Sequence, residues 1–296
     1  MARLLTIPLL ITALMATTIY NYHPAEQSRE IPVLMYHHIM DVPAEEIPNS
    51  STISYRSFRN HIERLAEAGF HTISFADLIA YVDEGRRLPP RAVLITFDDG
   101  YRSNLTYAAP VLAEHGMQAT ISVIGISRGQ DTHWRTGDPI IPHFTWDEVR
   151  PWVTAGVIDI QHHSHDMHQS RQFEPEETFR VGALQREGES DEAYRAAFFE
   201  DFRTLAGTIE AELGTPVTTY VYPHGRFTET TEAWLQELGV RATVTTEFGL
   251  NTISRLDPEG LFLLKRINMT EARGPEFMIQ MLETREIGST KLHMAN

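Results

Sequence analysis

The chain has 296 residues, 42% apolar and 9% aromatic, enough to bury a sizeable core, which excludes collagen-like, fully disordered and mini-protein architectures. With 25 Lys+Arg against 40 Asp+Glu the formal charge is −15; phosphate affinity needs clustered cations, so nucleic acid is not an expected partner. There is no cysteine, which removes disulfides, thiolate nucleophiles, Fe–S clusters and Cys-type zinc sites. A metal would have to sit on His, Asp or Glu, and 14 histidines are available.

Arg3 precedes an uncharged run from Leu4 to Tyr20, and the chain turns polar from Asn21 to Glu30. The run is at the lower limit for a membrane-spanning helix, about 17–25 residues, and no Ala-x-Ala cleavage site follows it. Residues 1–29 read as a secretory signal or an N-terminal membrane anchor, since no periodic polar face interrupts the run as a soluble helix would require. Either reading places residues 30–296, a single domain, in an extracytoplasmic compartment, and the anchor reading adds an N-terminal membrane contact.

From Ile31 short apolar runs alternate with amphipathic stretches. A strand over Pro32–Tyr36 is followed by a helix from Phe58 to Ala68, stopped by Gly69, and a strand over His71–Phe75. Next come a strand over Ala92–Phe97, a helix from Tyr107 to Glu114, a strand over Ala119–Ile124, a helix over Trp146–Thr154 and a strand over Val157–Ile160. The acidic stretch Gln169 to Asp191 has the composition of a long surface loop. A helix from about Glu192 to Leu213 ends at Gly214, and Val217–Val221, a helix from about Thr230 to Leu238, Val240–Val244 and Leu261–Leu264 complete the series. Seven or eight strands, mostly continuous apolar runs, indicate a parallel sheet covered on both faces. No Gly-rich phosphate loop follows any strand. The expected fold is therefore α/β, a distorted (β/α) barrel of seven or eight strands, rather than an open doubly wound sheet.

In such a barrel the reactive groups lie where strands end, and the unusual residues do fall there. His37 and His38 follow the first strand, Asp98-Asp99-Gly100 follows Ala92–Phe97, His163-Ser164 with His168 follows Val157–Gln161, and Tyr222-Pro223-His224-Gly225 follows Val217–Val221. Adjacent carboxylates after a strand diverge in direction, so one can ligate a cation while the other takes a proton; an ordinary Asp-Gly turn is the plain alternative. His163 and His168 are five apart, about 140° around a helix axis, so shared ligation requires a turn. Two imidazoles and one carboxylate leave open positions for water and substrate on Zn²⁺ or a similar divalent ion. His38, His115, His143, His162 and His165 read as surface or internally satisfied histidines.

Thr96-Phe97-Asp98-Asp99-Gly100, His163-Ser164 with His168, and Tyr222-Pro223-x-Gly225 resemble the polysaccharide deacetylase family, also known as the NodB-homology or carbohydrate esterase family 4 enzymes. The resemblance runs from about Ile31 to Met269. Val33 to His38 and the five-residue His spacing resemble the branch that deacetylates poly-β-1,6-N-acetylglucosamine in biofilm matrix. The resemblance implies a general base at Asp98, metal ligands at Asp99, His163 and His168, and a general acid at His37. It also implies that Ser164 braces the His loop and that Tyr222 and Pro223 line the substrate groove, with Gly225 beside them, where a backbone N–H helps hold the oxyanion. The implied cofactor is a divalent metal, Zn²⁺ first, with Co²⁺, Ni²⁺ or Fe²⁺ as alternatives. The implied substrate is an N-acetylglucosamine-containing polysaccharide; chitin oligomers, peptidoglycan or acetyl-xylan are alternatives, as is a carbohydrate-binding barrel without turnover. Tyr101, Trp134 and Trp146 are candidate stacking faces for sugar rings. Two departures stand out. Many members carry an arginine two residues before the groove proline to tether the base, but this chain has Val221 there, which leaves Arg266 as candidate tether or as an exposed edge residue. Where the branch often has tyrosine, this chain has His224.

Overall fold

The computed structural model describes residues 28–283; the apolar run at residues 4–20 lies outside them. The first described strand, β1 (Ser28–Ile31), pairs Ser28 with Ser254 and Arg29 with Ile253, so the domain boundary expected at 29/30 falls inside a strand. Then follow β2 (Val33–Tyr36), β3 (His38–Met40), β4 (Thr52–Ser54), α1 (Tyr55–Glu67), β5 (His71–Thr72), α2 (Phe75–Asp83), β6 (Ala92–Phe97), α3 (Ala109–Glu114), β7 (Ala119–Val123), α4 (Trp146–Thr154) and β8 (Ile158–His162). The remainder is α5 (Asp191–Leu213), β9 (Thr219–Val221), α6 (Glu229–Glu237), β10 (Ala242–Phe248), β11 (Asn251–Ser254), β12 (Leu264–Asn268) and α7 (Pro275–Glu283).

Seven parallel strands form the ring β2-β12-β10-β9-β8-β7-β6, closed by β2 against β6. The ring is distorted at one seam: β8 and β9 share the single pair His162–Tyr220. There the Gln161 side chain substitutes for the missing ladder, its Oε1 accepting from the amides of Thr218 and Thr219 at 3.0 and 2.9 Å. The helices start where the sequence supplies caps: Ser74 with Asp77 and Thr145 with Glu148 form capping boxes at α2 and α4. Gly214, in the left-handed conformation, ends α5.

Strand alternation divides the side chains between two environments. Val93, Ile95 and Phe97 join Phe58, Ile62 and Leu65 of α1 in the outer core. Thr96 and Asp98 turn the other way, and both meet Arg266. The strand expected over Leu261–Leu264 is displaced. Pro258–Leu261 is a 3₁₀ turn, Leu263 has φ of 57°, and β12 begins at Leu264. Its apolar character is explained by packing, since Leu261 and Leu264 join Leu78 and Tyr81 of α2 in one cluster. The acidic stretch 169–190 is irregular, as its composition indicates, but it is ordered around a buried ion pair, Arg180 to Glu189 at 2.7 Å.

Candidate active site

Asp98 leaves the end of β6 with its amide bonded to the carbonyl of Tyr36 at 3.0 Å. Its carboxylate accepts from both Arg266 terminal nitrogens at 2.8 Å and from the Ser122 hydroxyl at 2.9 Å. Arg266 is fully buried inside the barrel and is itself anchored by Nε to the carbonyl of Thr245 at 2.7 Å. The reading of Arg266 as an exposed edge residue is thereby overturned. The expected strand over Leu261–Leu264 stops short of this residue, whereas in β12 (Leu264–Asn268) it points inward. Burial works against ionisation of Asp98, but the bidentate guanidinium overrides it, with His163 and His37 contributing, and holds the carboxyl far below the usual range. His37 Nε2 lies 3.7 Å from Asp98 Oδ2.

Asp99 adopts a left-handed backbone with φ of 69°, which turns its carboxylate away from that of Asp98. Its Oδ1 is 3.6 Å from His163 Nε2 and 3.5 Å from His168 Nε2. The His163 Nδ1–H donates to the carbonyl of Val221 at 2.7 Å, which leaves the Nε2 lone pair facing Asp99. Burial pushes His163 down to about 4, so the ring is neutral near pH 7 and able to ligate. Asp99 Oδ1 is buried without a hydrogen-bond partner, and the three ligand atoms lie within 4.8 Å of one another. An unpaired carboxylate oxygen facing two imidazole nitrogens fits a divalent cation.

The loop from His163 to His168 is held from three sides. Ser164, with φ of 74°, accepts from the Met167 amide at 3.1 Å and donates its own amide to His162 Nδ1 at 3.0 Å. His162 therefore carries its proton on Nε2, bonded to the carbonyl of Phe202. Asp201 of α5 accepts from the amides of His165 and Asp166 at 2.9 and 2.6 Å. Sequence reading missed Asp201, although an acid between Phe198, Phe199, Phe202 and Leu205 on a helix is a detectable anomaly. It also missed Arg128, whose guanidinium donates to the carbonyls of Ile124, Gly100 and Asp99 at 3.0, 2.9 and 2.7 Å and stacks on Phe144 at 4.5 Å. Arg128 sets the backbone that aims the Asp99 carboxylate. A Cβ at Gly100 would lie 2.4 Å from Arg128 Nη1, at φ of +79°. Gly100→Ala is accordingly expected to lower the affinity of this cluster for a divalent cation and to destabilise the fold by about 1–3 kcal/mol, measurable by competition with a chromophoric chelator and by thermal unfolding. Unchanged affinity would show that Arg128 does not position Asp99.

Tyr222 does not line a groove with its ring. It is fully buried beside Tyr220 and Phe227, because Tyr220 and Tyr222 share the outward face of β9 and its extension. Its amide is committed to the carbonyl of Val244, Pro223 has none, and Gly225 donates to the carbonyl of Tyr222. The His224 amide, at φ of 56°, is the remaining donor of this segment. Gly225 has a packing reason: a Cβ there would lie 2.1 Å from Thr246 Oγ1. The His224 ring packs against His168, centroids 4.2 Å apart. Tyr101 lines a cleft of about 390 Å³ together with Asp99, Trp134, His143 and His168. Trp146 instead packs against the core. None of His38, His115, His143, His162 or His165 joins the candidate metal cluster.

The polysaccharide deacetylase family model matches residues 85–243. The chain belongs to the polysaccharide deacetylase family. It is thus a hydrolase of that class, built on the barrel described above. It is 27% identical over 245 residues to the protein YxkH of Bacillus subtilis (strain 168), covering 83% of this chain and 73% of that one. It is 25% identical over 236 residues to the poly-β-1,6-N-acetyl-D-glucosamine N-deacetylase of Escherichia coli (strain K12), covering 76% of this chain but only 35% of that protein. Among solved structures, a de-N-acetylase from Aggregatibacter actinomycetemcomitans superposes with a TM-score of 0.72 at 20% identity, over 86% of this chain and all of that one.

Proposed function

We propose that this deacetylase is a metal-dependent N-deacetylase of N-acetylglucosamine units in an extracellular polysaccharide, with poly-β-1,6-N-acetylglucosamine as its substrate and Zn²⁺ as its ion. The observation that carries the chemistry is the division of labour between neighbouring carboxylates: Asp98 is locked as an anion by Arg266, while Asp99 faces His163 and His168. The substrate rests on the named activity of the E. coli relative and on the histidine pair His37-His38 after β2. Extracytoplasmic action rests on the apolar run at residues 4–20.

Asp99, His163 and His168 would hold the ion, which when bound supplies Lewis acidity toward an acyl oxygen and toward water. Asp98 takes the proton of the attacking water, because its carboxylate is ionised throughout the working pH range and its orientation is fixed by Arg266 and Ser122. The His224 amide donates to the oxyanion that forms on the substrate carbonyl. His37, on the other side of Asp98, delivers a proton to the departing amine, without which an amide does not expel its nitrogen. The products are acetate and a glucosamine unit.

The test is acetate release from a β-1,6-linked N-acetylglucosamine pentamer, a chitin pentamer, peptidoglycan glycan and acetyl-xylan, before and after treatment with a chelator. The pentamer with β-1,6 linkages is expected to be preferred, with activity lost on chelation and restored by zinc. Acetate from xylan but not from any N-acetylglucosamine polymer would overturn the substrate assignment, and chelator-resistant turnover would overturn the metal dependence.

A further inference from the structure

Two of the five large apolar side chains left exposed among the described residues, Trp134 and Ile141, line one cleft, the same one that Asp99 and His168 line. Single exposed apolar residues need no explanation, but their gathering in a cleft marks a binding surface. The Trp134 indole is 47% exposed, yet it is not free to swing. The Arg135 guanidinium lies over its ring at 4.4 Å, and Arg135 Nε pairs with Glu174 Oε2 at 3.0 Å. The Glu174 side chain is buried, and its Oε1 is 3.7 Å from His133 Nε2. The His133 ring stacks on Phe173, with centroids 4.4 Å apart and planes at 15°. Both chain neighbours of Trp134 are thus fastened to Phe173 and Glu174, in the acidic stretch 169–190. Burying a carboxylate costs free energy that its ion pair largely offsets, so such a pair contributes little net stability. Its effect here is to fix where the guanidinium, and with it the indole, can sit.

An aromatic face held still suits the apolar C–H face of a pyranose ring, because no side-chain freedom is lost when the two stack. The cleft of about 390 Å³ contains both the cluster residues Asp99 and His168 and the indole, so a sugar chain reacting at the first lies against the second. We infer that Trp134 is a substrate-binding platform for a sugar unit of the polymer, and that Glu174, acting through Arg135, is the positioning residue that holds it. The inference rests on the proposed sugar substrate and gives the acidic stretch a part in recognising it, separate from the catalytic chemistry.

The experiment compares wild type, Trp134→Ala, Trp134→Phe, Glu174→Gln and the double variant Trp134→Ala with Glu174→Gln, all in the full-length zinc-loaded protein. Two probes are used: the β-1,6-linked N-acetylglucosamine pentamer, and p-nitrophenyl acetate, an acetyl ester without a sugar ring. For Trp134→Ala, KM on the pentamer is expected to rise about tenfold while kcat stays within about twofold of wild type, the signature of lost uniform binding. Trp134→Phe, which keeps an aromatic face, is expected to recover most of the loss. Glu174→Gln is expected to raise KM about threefold, and the double variant to be no worse than Trp134→Ala, since the carboxylate acts through the indole. Turnover of p-nitrophenyl acetate is expected to change by less than about twofold in every variant. An unchanged pentamer KM in Trp134→Ala would overturn the platform. A Glu174→Gln effect that is absent, or that adds in full to that of Trp134→Ala, would overturn the positioning role. Equal losses on both probes would overturn the inference in favour of a general structural role. Wild-type protein that hydrolyses the ester but not the pentamer would instead sink the sugar-substrate reading, and this inference with it.

Discussion

Replacing Asp98 with asparagine is expected to lower kcat for acetate release by about 10²–10⁴-fold, the usual contribution of a positioned general base, while zinc binding is retained. Asparagine keeps the shape and one oxygen acceptor for Arg266 but cannot take a proton from water. The metal cluster should survive because Asp99 is oriented separately, by its left-handed backbone and by Arg128. The variant also leaves the Arg266 guanidinium without a counter-charge in a fully buried position, so its Tm is expected to drop, and activity must be read at a temperature where both proteins are folded. Activity within about threefold of wild type would mean that Asp98 is an anchor for Arg266 rather than a proton acceptor. Loss of zinc in parallel with activity would mean that the two carboxylates do not divide the work.

The second large effect is expected at Arg266. Arg266→Met removes one partner of a buried pair and leaves the other uncompensated, a change that costs about 3–5 kcal/mol. The pH dependence identifies the cause. In the wild type the Asp98 carboxyl is held below its unfolded value, so the pair's contribution is fully present above the unfolded pKa, about 4, and is lost as pH falls below it. In Arg266→Met burial dominates and the folded pKa moves above the unfolded one, which reverses the sign: the variant should be least handicapped near pH 4 and lose ground as pH rises. Thermal unfolding of metal-free wild type and variant between pH 4 and 8 reads this directly. The acid limb of kcat/KM should also move toward neutral pH in the variant. A deficit that does not change with pH would locate the damage in packing around Thr96 and Thr245 rather than in the Asp98 charge. The double variant with Asp98→Asn should be less destabilised than the two single changes added together.

What the sequence made legible follows from how local each signal is. Asp98-Asp99-Gly100 directly after a continuous apolar strand, and His163 with His168 after the next strand but one, are short-range patterns. The barrel rule then places both groups at one rim, and the structure brings Asp99, His163 and His168 together. The parallel barrel itself was readable from apolar runs alternating with helices. The misses are of a different kind. The Leu261–Leu264 run was apolar because it packs under α2, not because it is a strand, and that error hid the inward direction of Arg266. The pairing of β1 with β11 joins residues 220 or more positions apart, with no periodic signal to mark it. Arg128 satisfies three carbonyls rather than a carboxylate, so no charge partner in the sequence pointed to it. Tyr222 was placed in the groove by a motif, whereas strand alternation turns its ring into the outer core.

The most direct test is the location of a metal. Crystals of the full-length protein grown with zinc, with diffraction recorded on both sides of the zinc absorption edge, should show an anomalous peak ~2.0–2.2 Å from Asp99 Oδ1, His163 Nε2 and His168 Nε2, with Asp98 outside bonding distance. A peak bound by Asp98, or no peak at these three residues at millimolar zinc, would contradict the division of roles on which the proposed hydrolysis depends.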